Sequence, residues 1–326
     1  MPKLNMVQAI NLGLNQEMTR DDSVIVMGED VGVDGGVFRV TDGLYDAFGD
    51  KRVIDTPLAE SGILGTAIGM AMAGLRPVAE MQFSGFSYLM IPQLEGHASR
   101  LRQRTLGQIE VPVVVRMPYG GGVRALEHHS ESREATYAHL PGVKVLIPST
   151  PRNARALIVA AIRDPDPVVF MEPKHSYRAW KEEVPEEEEV AEIGRAEIVQ
   201  EGNDLTVVTW GALRKPTLEA AEAVATERGT GIEVIDLLTI APMDSESIIE
   251  SVKKTGRLVV VQEAPRTLGL SSEITARVND HALLYLEAPV TRITGYDVVT
   301  PYFGRELSYL PDVGRIRRGL EETLDF

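Results

Sequence analysis

The sequence predicts an α/β protein of two domains, each a mostly parallel sheet flanked by helices. Three observations carry this. Short runs rich in Val and Ile alternate with helix-forming segments along nearly the whole chain, which is the pattern of a parallel sheet covered on both faces. The alternation is interrupted once, by the acidic, proline-containing stretch Glu182–Glu192 (EEVPEEEEVAE), which suits a solvated linker. A chain of 326 residues is also long enough for two buried cores. The boundary is placed near Val190, giving domains 1–189 and 190–326.

In the first domain the expected strands are Ser23–Met27, Val53–Asp55, Val78–Phe83, Val111–Met117, Val143–Ile147 and Val168–Met171. Ser61–Ala73, Pro92–Thr105 and Arg152–Ile162 have helical composition and period. In the second domain the expected strands are Leu205–Trp210, Glu233–Leu237, Leu258–Gln262 and Val290–Ile293. Helices are expected near Leu213–Arg228, Asp244–Thr255 and Ser271–His281.

Composition excludes several classes of function. With 44% hydrophobic and 25% charged residues the chain reads as an ordinary globular protein. No apolar run of about 18 residues marks a membrane span. The start, MPKLNMVQAI, lacks the pattern of a secretory leader, so a cytoplasmic location is expected. The chain has no cysteine, which rules out disulfides, thiolate zinc sites and thiol nucleophiles. A net charge of −15 argues against nucleic acid, whose phosphates need a basic face. Eight of the 33 basic residues are Lys, so Arg carries most of the positive charge.

The stretch from Val53 to Phe86 is the most informative. It reads as strand, small-residue helix and strand, with Glu60 at the helix start. Gly62, Gly65, Gly69, Ala67, Ala71 and Ala73 leave room for another backbone or a flat ligand. A helix this apolar should be buried, and a carboxylate buried with it needs a hydrogen-bonding partner. The competing reading is a first-turn Glu favoured by the helix dipole. Phe83 and Phe86 follow the next strand, either as core or as a stacking surface.

Further on, Tyr119–Ser132 (YGGGVRALEHHSES) reads as a loop. Gly120–Ala125 formally fits the G-x-G-x-x-A dinucleotide pattern. However, the next strand ends in Pro148-Ser149, not in the acid that would hold a ribose. His128 and His129 are adjacent, and nothing in their spacing brings them together on one ligand. Asp164-Pro165-Asp166-Pro167 reads as a turn.

Eight segments stand in order along the chain: Met27-Gly28-Glu29-Asp30-Val31-Gly32, Asp55-Thr56-Pro57-Leu58-Ala59-Glu60-Ser61-Gly62, Ala73-Gly74-Leu75-Arg76-Pro77, His129-Ser130, Pro141-Gly142-Val143-Lys144-Val145, Asp236-Leu237-Leu238-Thr239, Thr255-Gly256-Arg257 and Leu286-Glu287-Ala288-Pro289. On these the chain resembles the beta subunit of the thiamine-diphosphate-dependent 2-oxo acid dehydrogenase component, of pyruvate and branched-chain type, in the transketolase-like superfamily. The resemblance implies a pyrimidine-binding domain followed by a transketolase C-terminal-like domain. It assigns Glu60 as the carboxyl that shares a proton with the pyrimidine ring and so activates the cofactor. Asp would be one methylene too short there, and Gln has no proton to relay. The resemblance also places Phe86 against the aminopyrimidine ring, and His129 near the reacting carbon, where it serves acyl transfer. Glu131 stands where relatives often carry Gln or Asp. A potassium ion is implied at Val113, Ala161, Ile162, Asp164 and Asp166, with Asp166 replacing an Asn of some relatives.

No Gly-Asp-Gly occurs in the chain, so magnesium and the diphosphate are expected to be held by an alpha subunit in an α2β2 assembly. The acyl group would pass to a lipoyl-bearing acyltransferase. The second domain shows no clustered acid–base set from Gly194 onward and is expected to serve assembly and docking, with Leu324-Asp325-Phe326 as a hook. Pyruvate is the favoured 2-oxo acid, with branched-chain acids or acetoin as alternatives. The other readings are half of a split transketolase or deoxyxylulose-phosphate synthase, a nicotinamide-binding dehydrogenase domain, and a non-catalytic scaffold subunit.

Overall fold

A computed structural model describes all residues, Met1–Phe326. The chain forms two compact units: Met1–Tyr119 with Thr136–Ile193, and Gly120–Ala135 with Gly194–Phe326. The segment 120–135 thus groups with the second unit, although its neighbours in sequence build the first.

In the first unit helix α1 (Met6–Arg20) precedes strands β1 (Val24–Gly28) and β2 (Val53–Asp55), helix α2 (Glu60–Met72), and strands β3 (Arg76–Glu80), β4 (Val114–Tyr119) and β5 (Lys144–Leu146). Helix α3 (Pro151–Arg163) and strand β6 (Val168–Pro173) follow. These strands pair in the order β5-β6-β4-β3-β1-β2, all parallel. Strands β1, β4 and β6 are buried at every position, β4 and β6 even at Arg116 and Glu172. Helix α1, absent from the sequence reading, opens with an Asn5–Gln8 capping box and packs along α3. The two helices meet at Gly13, where a Cβ would lie 2.6 Å from Ile158 Cγ2.

Two expectations are corrected here. The helix read over Pro92–Thr105 is broken into a 3₁₀ turn (Ser87–Met90), a short α-turn (Ile91–Gln93), a π-helical turn (Leu94–Ala98) and a last α-helix (Ser99–Arg104). Pro92 has no N–H to give the ladder, and Gly96 weakens it four residues later. The acidic stretch Glu182–Glu192 is not a free linker. Glu182 and Glu183 pair with Leu4 and Lys3 as a short antiparallel ladder. Arg152 Nη2 holds Glu189 at 2.8 Å, Arg163 Nη1 holds Glu188 at 2.5 Å, and Arg155 Nη2 donates to the Glu187 carbonyl at 2.6 Å. The arginines of α3 therefore strap the acidic run down.

The second unit contains strands β7 (Glu197–Gln200) and β8 (Leu205–Thr209), helix α4 (Arg214–Arg228), strand β9 (Ile232–Asp236), helix α5 (Ser245–Thr255), strand β10 (Leu258–Pro265), helix α6 (Leu270–Ala282), strand β11 (Thr291–Gly295) and helix α7 (Val313–Leu324). The strand order is β11-β10-β8-β9-β7, with only β7 antiparallel. Val207, Val234, Val259, Val261 and Ile293 join Ala220, Val224, Ile316 and Leu320 of α4 and α7 in one core. No helix is long and apolar enough to cross a membrane.

Candidate functional site

Glu60 opens α2 in the first unit. The preceding Ala59 has no side-chain oxygen to cap the helix, so Glu60 is the acidic group of the first turn, and only 4% of it is exposed. Dipole and burial therefore act on the same carboxyl. Helix α2 packs on the Ser87–Met90 turn, and Gln93 Nε2 donates to Ser61 Oγ at 3.3 Å. The segment beginning at Phe86 is thus tied to the start of the helix that carries Glu60. Phe86 is half-buried and meets Phe83 edge-on, with ring centroids 5.8 Å apart. Phe83 in turn meets Phe38 at 5.5 Å, and Lys174 Nζ lies 5.5 Å over the Phe83 ring. The expectation that α2 is buried all round is corrected. Ile63, Leu64, Ala67, Ile68 and Ala71 face the core, whereas Gly62, Thr66, Gly69 and Met72 lie exposed along one side.

Glu29 is a further buried acid of this region, beyond the residues expected from the sequence. It follows the fully buried β1 and is only 8% exposed. Burial, then the charge of Glu60, then that of Asp30, push its carboxyl up from the ordinary range. The signal in the sequence was the acid pair Glu29-Asp30 at the end of an apolar strand.

Behind this region three adjacent strands carry a buried ion cluster. Glu80 of β3 stands directly across from Arg116 of β4, and Glu172 of β6 lies two positions on along the next strand. Arg116 pairs with Glu80 and reaches Glu172 through both Nε (2.7 Å) and Nη2 (2.8 Å). The Tyr177 hydroxyl donates to Glu172 at 2.5 Å. All four side chains are buried.

The segment 120–135 departs most from expectation. Gly121 N–H donates to Glu263 Oε1 at 2.6 Å, while Gly122 N–H and Arg124 N–H donate to Glu306 Oε1 and Oε2 at 2.9 and 2.7 Å. Glu306 is fully buried and Glu263 nearly so. The backbone donors that a dinucleotide phosphate would need are occupied by carboxylates of the same unit, and a 3₁₀ turn, Glu127–His129, follows in place of a helix. That removes the nucleotide reading. It also corrects the view that the second domain brings no clustered acids. His129 is half-buried and His128 exposed, so the pair does not act as one ligand.

Glu134 completes this cluster. It is 1% exposed, accepts from Trp210 Nε1 at 3.3 Å, and leaves Oε2 buried with no hydrogen-bond partner. Burial pushes the carboxyl up to about 7. Its own backbone N–H and Trp210 pull the other way, and the Glu263 charge adds to the rise. The folded chain therefore holds this proton where the unfolded chain has lost it. The stability this contributes is full below about pH 4.5 and lost as pH rises through about 7. Glu134→Gln is expected to leave the thermal midpoint unchanged near pH 4 and raise it near pH 8, removing a penalty on the order of 3 kcal/mol. Equal shifts at both pH values would contradict the assignment.

The turn at Asp164–Asp166 is held by the chain's own cations. Lys144 Nζ contacts both Asp164 carboxylate oxygens at 2.7 and 2.6 Å, Arg102 Nε contacts Asp166 Oδ1 at 2.6 Å, and Arg76 Nη1 donates to the Ile162 carbonyl at 2.8 Å. The Val113 and Ala161 carbonyls accept from Val168 N–H (2.9 Å) and Asp164 N–H (3.3 Å). The two carboxylates of the expected potassium site are thus charge-balanced by Lys144 and Arg102. No step below involves the ion.

Comparison with known proteins is consistent along the whole chain. The family described as "Transketolase, pyrimidine binding domain" matches residues 2–179, and "Transketolase, C-terminal domain" matches residues 194–316. The chain is 49% identical over 313 residues to "Pyruvate dehydrogenase E1 component subunit beta" of Acholeplasma laidlawii, covering 96% of this chain and 95% of that one. It is 46% identical over 326 residues to the protein of the same name from Bacillus subtilis, covering 100% of each. Among solved structures, "Split gene transketolase, inactive beta4 tetramer" superposes with a TM-score of 0.81 over 99% of both chains at 20% identity, a likeness of fold.

Proposed function

The chain belongs to the family of pyruvate dehydrogenase E1 component beta subunits, and from that membership we propose that it supplies the pyrimidine-side half of a thiamine-diphosphate site for decarboxylating pyruvate. The observation that carries this is Glu60: a buried carboxyl at an uncapped helix start, tied through Ser61 and Gln93 to the segment that follows the half-buried Phe86 ring. Phe86 offers a flat apolar surface for the aminopyrimidine, and Glu60 shares a proton with its ring nitrogen. The cofactor, when bound, supplies the electron sink for loss of carbon dioxide. His129, presented by the loop that Glu263 and Glu306 hold, would orient the lipoyl disulfide and give a proton to the sulfur released when the other sulfur takes the acyl group.

Magnesium and the diphosphate are assigned to an alpha subunit, since the chain lacks Gly-Asp-Gly. Docking of the acyltransferase is assigned to the C-terminal end. There Phe326 is exposed, and Asp325 is already paired with Arg228 at 2.5 Å, so the apolar ring is the group left to carry the contact. The split-transketolase alternative rests on fold alone and is not favoured.

Two measurements test this reading. The purified chain should bind thiamine diphosphate poorly and show no decarboxylase activity until the alpha subunit is added. Magnesium-dependent turnover by the chain alone would refute the half-site. In the assembled enzyme His129→Ala should cut the lipoyl-dependent rate about 10²-fold, and dye-coupled decarboxylation much less. Equal small losses in both assays would return His129 to an ordinary loop residue.

A further inference from the structure

We propose that Glu306 and Glu263 are positioning residues for acyl transfer, forming a carboxylate clamp on the glycine segment that carries His129. The proposal rests on the role given to His129 above.

The backbone from Gly120 to Arg124 is wound so that successive N–H groups turn to one side. Gly120 and Gly122 have φ of +84° and +86°, and Arg124, which is not glycine, is held at +57°. Such a winding makes an anion-binding concavity. Two carboxylates that lie 142 and 184 residues further along the chain fill it, through Gly121, Gly122 and Arg124 N–H. The fit requires glycine. A Cβ on Gly120 would lie 2.9 Å from Glu263 Oε1, and one on Gly121 would lie 3.0 Å from Glu306 Oε1.

Downstream of the clamp the segment is closed and short. Gly120 N–H donates to the Glu131 carbonyl at 3.1 Å, and His129 N–H donates to the Leu126 carbonyl at 2.9 Å. The Tyr302 hydroxyl hydrogen-bonds Glu127, two residues before His129. Glu306 follows Tyr302 by four residues, so one C-terminal segment grips the loop at Gly122 and Arg124 and again at Glu127. His129 sits half-buried on the three-residue turn that this closed segment carries. A shift of the clamped backbone is passed along the segment to His129, and a group that must meet a reacting carbon is sensitive to errors of about 1 Å.

The test uses the complete complex with its alpha subunit and acyltransferase. Glu306→Gln keeps the side-chain shape but turns an NH₂ toward a backbone N–H. Gly121→Ala is allowed by the local backbone yet drives a methyl against Glu306. Both are expected to speed amide exchange across residues 120–125 about tenfold. Both should also lower the ratio of lipoyl-dependent to dye-coupled turnover about tenfold. Wild-type exchange in both variants overturns the clamp, and so does an equal fall in the two rates. His129→Ala run in parallel separates the two readings. If it spares acyl transfer while Glu306→Gln still loosens the loop and lowers the ratio, the clamp stands and the His129 role fails. If it impairs acyl transfer while Glu306→Gln changes neither exchange nor ratio, the clamp fails and the His129 role stands.

Discussion

Glu60→Gln is expected to leave the α/β assembly intact and to lower dye-coupled decarboxylation by about 10²- to 10⁴-fold, the usual scale for a positioned acid–base group. The substitution preserves volume and one acceptor oxygen, so α2 and its packing on Ser87–Met90 should survive. A first-turn carboxylate acting only through the helix dipole contributes roughly 0.3–1 kcal/mol, which predicts a small loss of stability and almost no loss of rate. The two readings therefore differ by orders of magnitude in one assay. A second consequence concerns Glu29. The Glu60 charge is one cause of its raised pKa, so removing that charge should bring Glu29 back toward the ordinary carboxyl range. Sedimentation of the mixed subunits checks assembly, and the dye assay checks rate. Activity within a few-fold of wild type would leave Glu60 as a helix-start residue.

Much of the fold was legible because parallel strands buried on both faces are apolar at most positions. Runs such as Val168–Met171 and Leu258–Val261 announce themselves without help from neighbours. Edge strand β7 did not, because its residues are half-buried or exposed. Helix α7 is equally inconspicuous, since its buried stripe is only Ile316, Gly319, Leu320 and Thr323. Glu60 and Phe86 became candidates through the family resemblance of their segment, and the structure adds the burial of Glu60 and the tie between their segments. What stayed illegible depends on pairs far apart in sequence. Nothing near Glu263 or Glu306 says that each will fill a glycine turn 142 or 184 residues away. Likewise Glu187–Glu189 look solvated until Arg152, Arg155 and Arg163 are seen beside them.

Arg116→Met is expected to destabilise the first unit by about 3–5 kcal/mol, the cost of breaking a buried ion cluster from one side. Arg116 is the one cation among Glu80, Glu172 and Tyr177, and it pairs with both carboxylates. Burial already raises the Glu80 carboxyl, with Arg116 opposing that rise and Glu172 adding to it. Without the guanidinium Glu80 would have to take up a proton to stay inside. The folded variant would then bind more protons than its unfolded chain, so its stability should fall as pH rises. The deficit relative to wild type should be greatest near pH 8 and shrink toward pH 5. Adding Glu172→Gln should recover part of the loss, since one buried charge is removed and the Tyr177 hydroxyl keeps an acceptor. Urea unfolding of the three proteins at both pH values reads all of this. A deficit under about 1 kcal/mol, or one independent of pH, would mean that water reaches the cluster and that Arg116 does not neutralise it.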